Sequence, residues 1–389
     1  SSSRYDFIVV GLGISGASVL YQLAKRGVRV LGIDQYEPPH SLGSSHGRSR
    51  LTRQAIGEGE QYTPLIRKSN QIWKELEELT GKSVLDEMGM LIVSSKEQNT
   101  FSHTTDFYQR TVDTAIKNDI SHELLTSTEV RKRFPQYNLA DNEYAYYEHE
   151  AGVVRPEAAI QTQLSLAMKM GAEVKMNTQM LSYDSVDGDV FVSTPEGTYS
   201  ANQLVLALGP WFPRDLKEVL KPLVKVYRQT LFWFTYEGEA KLFESPQFPL
   251  FIWELEGYDS AFYGFPSEDG VGVKLATEQY LGTTSPEIME RTVGQQEKDW
   301  IYESFVRNKF PGLSHECTDA KACLYSVTTD FGFVLDRLPG EEKVYMISAC
   351  SGHGFKHASG VGEVVVKELL GEDPEMDLSP FRLERLLKP

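Results

Sequence analysis

The apolar positions along the chain change period several times. Phe7–Val10 is an unbroken apolar run ending at Gly11, as expected of a strand buried on both faces. Ala17–Lys25 then carries Val19, Leu20 and Leu23 at helical spacing, and Val28–Ile33 is a second apolar run closing at Asp34. Strand, glycine turn, helix, strand is a βαβ unit with a right-handed crossover, so a parallel sheet opens the chain. The spacing predicts a helix over Thr63–Thr80, with Leu65, Ile66, Ile72, Trp73 and Leu76 as its apolar stripe. Thr126-Ser127-Thr128-Glu129 offers a capping box before another short helix, and Pro156 opens a helix reaching Met170. Glu173–Asn177 reads as a strand returning to the first sheet. Leu204–Leu208 is another, ending at Gly209-Pro210-Trp211, and Val344–Ile347 leads into a final helix over Gly360–Leu370.

Residues 222 to 275 are patterned differently. Leu231–Tyr236, Leu250–Trp253, Ala261–Phe265 and Val271–Lys274 are short, aromatic and β-branched, with brief turns between them. They predict an antiparallel or mixed sheet in a second domain. The fold class expected is α/β, or α+β in two domains. A Rossmann-like dinucleotide-binding domain would be assembled from residues 1–80, 150–220 and 320–389. A substrate domain would be assembled from 81–149 and 221–319.

A chain of 389 residues suits two domains. Its net charge of −16 argues against a nucleic-acid backbone as partner, which needs clustered cations. No apolar run approaches the length of a membrane span, and with a strand opening at Tyr5 no export signal is expected. Three cysteines, Cys317, Cys323 and Cys350, do not suggest a disulfide framework, so a reducing, cytoplasmic setting is expected. No metal site and no partner chain are expected.

Gly11-x-Gly13-x-x-Gly16 follows a strand and opens a helix. The first glycine permits the tight turn, the second lets backbone approach a diphosphate, and the third lets helix and strand pack closely. Ile14 and Ser15 lie at the helix N-terminus, where amide donors and the positive dipole end favour an anion. Asp34 stands where a carboxylate accepts bonds from ribose hydroxyls. The motif alone does not separate FAD from a nicotinamide cofactor, but no second copy appears and the strand ending at Gly209 and Trp211 offers another nucleotide contact.

Gly43-Ser44-Ser45-His46-Gly47, Arg50, Arg53 and Gly57-Glu58-Gly59-Glu60-Gln61-Tyr62 resemble the family of monomeric sarcosine oxidase and N-methyltryptophan oxidase. So do Tyr263-Gly264-Phe265-Pro266, Lys274, Cys323-Leu324-Tyr325 and Ser351-Gly352-His353-Gly354-Phe355-Lys356, in order along nearly the whole chain. These FAD-dependent amine oxidases also include pipecolate and fructosyl-amine oxidases. The resemblance implies FAD, attached through an 8α-thioether to Cys323, with Gly43, Ser44, Ser45, His46, Arg50, Val174, Gly209, Trp211, Gly352, His353, Gly354 and Phe355 among its contacts. It implies that Arg53 and Lys356 clamp a substrate carboxylate, which suits a planar guanidinium and a point-charge ammonium. It makes Lys274, in the apolar strand Val271–Leu275, the oxygen-activating lysine beside the flavin. Tyr263 and Tyr325 shape the substrate site, with His353 and Arg50 near the flavin.

Left to its own pattern, each residue has a plainer role: Cys323 a core cysteine, Lys274 an outward strand lysine, Arg53 and Lys356 surface ion pairs. One position departs from sarcosine oxidase. Four residues after Lys274 this chain has Glu278, as the fructosyl-amine oxidases do, where a carboxylate would accept sugar hydroxyls or pair with a cation. Trp253 would narrow the site or stack on a larger side chain. The reaction expected is oxidation of a C–N bond in a secondary amino acid by O2, by a monomer, giving an imine and H2O2. A fructosyl-amino-acid oxidase and a dehydrogenase with another acceptor are the rivals.

Overall fold

The computed structural model describes residues 4–43, 49–95, 100–101, 104–258, 260–350 and 352–388. β1 (Tyr5–Val10) and β2 (Val30–Ile33) run parallel around α1 (Ile14–Lys25), with Phe7 opposite Val30 and Val10 opposite Ile33. Glu173–Lys175 adds a parallel strand outside β2, and Gly197–Leu206 adds one on the other side of β1. The far half of that long strand pairs in parallel with Val344–Met346, while its near half turns into an antiparallel meander with Asp189–Thr194 and Ser182–Val186. Val334–Leu338 completes this eight-stranded sheet.

Helices cover one face of the sheet. α1, α2 (Thr63–Thr80), Pro156–Lys169 and Ala358–Leu369 share a core built on Val19, Leu20, Leu65, Trp73, Ile160 and Val365. The approach of the last helix to α2 needs a glycine, because a Cβ at Gly360 would stand 2.6 Å from the Leu65 carbonyl. Ser69 ties the pair, its Oγ accepting from the Gly360 amide at 2.8 Å and its carbonyl accepting from Ser359 Oγ at 3.1 Å.

The second sheet also has eight strands, ordered Leu313–Thr328, Val224–Tyr236, Val273–Thr277, Ala261–Phe265, Leu250–Glu254, Met90–Ser95, Glu143–Glu148 and Glu123–Thr126. It is mixed, since Leu250–Glu254 pairs in parallel with Met90–Ser95 and the other pairs are antiparallel. The boundary drawn at residue 320 falls inside its long edge strand. A three-stranded sheet, β3 (Arg50–Thr52), Gly152–Val154 and Leu85–Glu87, lies between these elements in the chain.

Directly opposed residues share a sheet face, and neighbours along a strand alternate faces. Cys323 opposes Gln229, Tyr325 opposes Tyr227, Lys274 opposes both Trp233 and Phe265, and Tyr263 opposes Ile252 and Ala276. These residues therefore form one face. The other face carries Phe232, Phe234, Phe251, Trp253, Phe262 and Leu275, which close an aromatic core.

Candidate active site

A cavity of about 530 Å³ runs from the carboxyl ends of the parallel strands to the Lys274 face of the second sheet. Crevices outside the carboxyl ends of parallel strands are where open α/β sheets bind ligands. At one end, Gly11 adopts φ +92°, and a Cβ there would stand 2.1 Å from the Ala207 carbonyl. A Cβ on Gly16 would fall 1.6 Å from the Gly11 carbonyl, so this glycine packs helix onto turn while Gly11, Gly13, Ile14 and Ser15 line the cavity. Asp34 is buried. Its carboxylate accepts from the amides of Leu12 at 2.7 Å and Tyr36 at 2.8 Å, and His40 stands 3.9 Å away. Burial pushes that carboxyl up, against the pull of the two amides and His40. Gly43, Gly209 and Trp211 line the same end.

The opposite end is cationic. Arg53 is 3% exposed and donates to the Ala55 carbonyl at 2.8 Å and to both oxygens of Glu58 at 2.8 and 3.0 Å. Lys356 is 5% exposed and donates to the His353 carbonyl at 2.8 Å, while Trp73 Nε1 on α2 holds the Lys356 carbonyl at 3.3 Å. Burial pushes Glu58 up, but Arg53, then Lys356 and His353, outweigh it and hold the carboxyl at about 2. Burial lowers Lys356 to about 8, with Glu58 opposing and Arg53 reinforcing the shift. Glu58 is the carboxylate paired with Arg53, Glu278 also acts on Lys356, and Glu148 lies within the field of Arg53.

The cavity is also lined by Arg50, Tyr263, Tyr325, Lys274, Glu278 and the turn Gly352–Phe355 that leads into Lys356. Tyr263 and Tyr325 hydroxyls meet at 3.2 Å. Lys274 is 3% exposed, donates to the Ser49 carbonyl at 2.7 Å and Ser49 Oγ at 3.2 Å, and sits 4.3 Å from the Phe265 ring centroid. Burial, then Arg50, holds its ammonium well below the ordinary lysine value. Gly354 is required at its turn, since a Cβ would overlap the Ala349 carbonyl at 1.6 Å. His353 is stacked on Phe333 at 4.8 Å, its Nε2 is 2.9 Å from the Phe331 carbonyl, and burial lowers it to about 4 against the pull of Glu58, so its ring is neutral at pH 7. Glu278 accepts from the Tyr280 hydroxyl at 2.6 Å.

The sequence pattern of the FAD-dependent oxidoreductase family matches residues 6–368. The chain belongs to that family. It is 37% identical over 368 residues, 94% of this chain and 93% of the relative, to a monomeric sarcosine oxidase of Streptomyces avermitilis. It is 32% identical over 383 residues, 98% of this chain and 99% of the relative, to an N-methyl-L-tryptophan oxidase of Yersinia pestis. Among solved structures, NikD, an unusual amino acid oxidase of nikkomycin biosynthesis, superposes with a TM-score of 0.82 at 20% identity, covering 98% of each chain, which shows the shared fold.

The residues present fit FAD. Gly11, Gly13, Ile14 and Ser15 line the cavity at the start of α1, where backbone amides suit a diphosphate, and Asp34 lines it after β2, where a carboxylate suits ribose hydroxyls. Farther along the cavity, Ser326 Oγ, Ser348 Oγ and His353 Nδ1 are buried without a hydrogen-bond partner among the described residues. Buried polar atoms ordinarily have partners, and a polar ring system in the cavity would supply them.

Three expected contacts need correction or refinement. Trp253 is not in the site. Ile252 lines the cavity, so strand alternation turns Trp253 to the opposite face, where Nε1 donates to Glu143 at 2.6 Å. Val174 packs against the helix-layer core instead of lining the cavity, and the residues that do line it from this segment, Thr178 to Met180, follow the strand's end. Cys323 shares the cavity face with Tyr325 but is 1% exposed and does not line the cavity, packed with Trp233, Ala276 and the lining residue Leu231. Burial pushes its thiol up, while Arg50 and Lys274 pull it down. Ser44, Ser45, His46 and Ser351 lie outside the described residues. Patterns in the sequence did not single out Ser326, Ser348 or Tyr280. Glu58 stood only within a glycine-rich motif, five residues from the arginine it neutralises.

Proposed function

We propose that this FAD-dependent oxidoreductase oxidises the C–N bond of N-methyl or otherwise secondary α-amino acids of the sarcosine type, with O2 as acceptor. The observation that carries the proposal is one cavity joining a dinucleotide cradle, an end where the buried cations Arg53 and Lys356 stand, and a buried lysine. The names of its relatives agree.

FAD, when bound, supplies the acceptor for the electron pair leaving the C–N unit. Arg53 and Lys356 hold the substrate carboxylate, and Tyr263 and Tyr325 wall the amine and its methyl group. Burial excludes bulk water from these contacts. Loss of two electrons and two protons gives an imine. Water adds to it, and an N-methyl carbon leaves as formaldehyde, with the free amino acid as co-product. O2 takes up the two electrons and two protons as H2O2 on the Lys274 side, where Arg50 and a proton taken up by Lys274 would favour the developing negative charge. Burial outweighs the pull of Arg50 and Lys274 and keeps the Cys323 thiol protonated, so the thioether to the cofactor rests on the family pattern and on the place of Cys323 on the cavity face. We place the enzyme in the cytoplasm as a monomer, acting on small molecules alone.

Glu278 favours a second reading. It puts a carboxylate, braced by Tyr280, in the same cavity, which suits the hydroxyls of a fructosyl amino acid. An oxygen-uptake screen over sarcosine, larger N-methyl amino acids, pipecolate, proline and fructosyl-glycine separates them. Peroxide from N-methyl amino acids is the result expected, and peroxide from fructosyl-glycine alone overturns the first reading. Reduction of an artificial dye without oxygen uptake would instead make the protein a dehydrogenase.

A further inference from the structure

Glu148 ends the strand Glu143–Glu148 of the second sheet, is fully buried, and is not one of the residues lining the cavity. Strand alternation puts it on one face with Tyr146, opposite Met90 and Ile92, and the next strand carries the cavity-lining Ile252 on that face. A carboxylate buried in an apolar sheet is costly unless its oxygens are used. Here three donors use them. Oε1 accepts from the Tyr146 hydroxyl at 2.6 Å and the Ala55 amide at 3.2 Å, and Oε2 accepts from the Gln54 amide at 2.8 Å. Burial pushes this carboxyl up, and the three donors and Arg53 oppose the shift.

The two amides belong to the residues that follow Arg53, and Ala55 returns its carbonyl to Arg53 Nη1 at 2.8 Å. Nη2 of the same guanidinium donates to Glu58. We propose that Glu148 is a positioning residue for substrate binding, fixing residues 54 and 55 so that the Ala55 carbonyl aims the Arg53 guanidinium at the substrate carboxylate. The inference rests on the reading of Arg53 as a carboxylate clamp above. Glu58 lies five residues from Arg53 in the same loop, so that ion pair orients the two side chains to each other and not to the sheet. Glu148 is the anchor from outside the loop. Its sheet also carries Tyr263 and Lys274, so the anchor sets the clamp in register with those walls of the site.

Methoxyacetate, sarcosine with an ether oxygen in place of the amine, is the probe, and its dissociation constant is read from the flavin absorbance of the holoenzyme. Glu148→Gln keeps the size of the side chain, but all three partners donate, so the new Nε2 leaves at least one of them without an acceptor. The dissociation constant should rise about tenfold. The ammonium of Arg53→Lys has no fork to divide between Ala55 and a ligand, so adding Glu148→Gln to that variant should change its constant by less than about twofold. A merely structural carboxylate would weaken binding by the same factor in both backgrounds. Tyr146→Phe, which takes one donor from Glu148, replaces Glu148→Gln in the same comparison should that variant not fold, with a rise of about threefold expected. An unchanged constant in a folded, FAD-loaded variant, or an equal rise in the Arg53→Lys background, overturns the positioning role. A wild type whose flavin neither responds to methoxyacetate nor bleaches with any N-methyl amino acid overturns the clamp reading itself, and the role with it.

Discussion

Glu58 sets the charge of the cavity's cationic end. Its carboxyl titrates at about 2, below the roughly 4.3 of an unfolded glutamate. A depressed carboxylate stabilises the fold above its unfolded value, and that contribution, about 3 kcal/mol, is lost as pH falls from about 4 through 2. Glu58→Gln removes the carboxylate bonded to Arg53, leaving that buried guanidinium only the more distant Glu148 and the Ala55 carbonyl, and should cost about 3 kcal/mol in urea unfolding at pH 7. Lys356 titrates at about 8 in the ligand-free protein, so it is charged below that pH and neutral above it. Affinity for a substrate carboxylate should weaken as pH rises through 8, and Lys356→Met should flatten that profile, as read by binding of a carboxylate inhibitor. Cys323→Ser tests the thioether: the denatured wild type should carry the mass of one FAD, and the variant should not. At this scale motif spacing pointed to the glycines, and the family resemblance pointed to Arg53, Lys274 and Lys356. It did not point to Ser326 and Ser348, because single serines in strands carry no pattern until their burial is known.

Each element's local period was legible where one face alone decides it. α2 occupies Thr63–Thr80 as its stripe predicts, and the Thr126–Glu129 capping box is formed, with the Thr126 side chain accepting from the Glu129 amide at 3.2 Å. The last helix begins at Ala358, two residues before the expected start, because the preceding turn runs straight into it. In Leu250–Glu254 all five residues are buried, so both faces are apolar and composition does not say which one meets the cavity. That ambiguity misplaced Trp253. The turn after β1 is the element most sensitive to substitution. Gly11→Ala introduces a Cβ that overlaps the Ala207 carbonyl at a backbone angle alanine disfavours. The variant should purify with little bound FAD, measured as flavin absorbance per protein after gel filtration.

Two eight-stranded sheets meet at one cavity, and neither holds the whole site. The parallel part of the first sheet was legible because its βαβ unit is local in sequence, while Ser182–Val186, Asp189–Thr194 and Val334–Leu338 were not read. Much of the second was not: Met90–Ser95 and Glu143–Glu148 join it through pairings with distant strands, which no local period records. Among the described residues no helix is long and apolar enough to cross a membrane. The account's central claim is that the Arg53–Lys356 end presents a secondary amino acid to the bound flavin. Anaerobic titration of the purified holoenzyme with sarcosine and larger N-methyl amino acids, followed by flavin absorbance, tests it most directly. The account predicts bleaching by at least one of them, with formaldehyde released in equal amount and the response abolished in Arg53→Met. Flavin that stays oxidised with every N-methyl amino acid, yet is bleached by fructosyl-glycine, would contradict it.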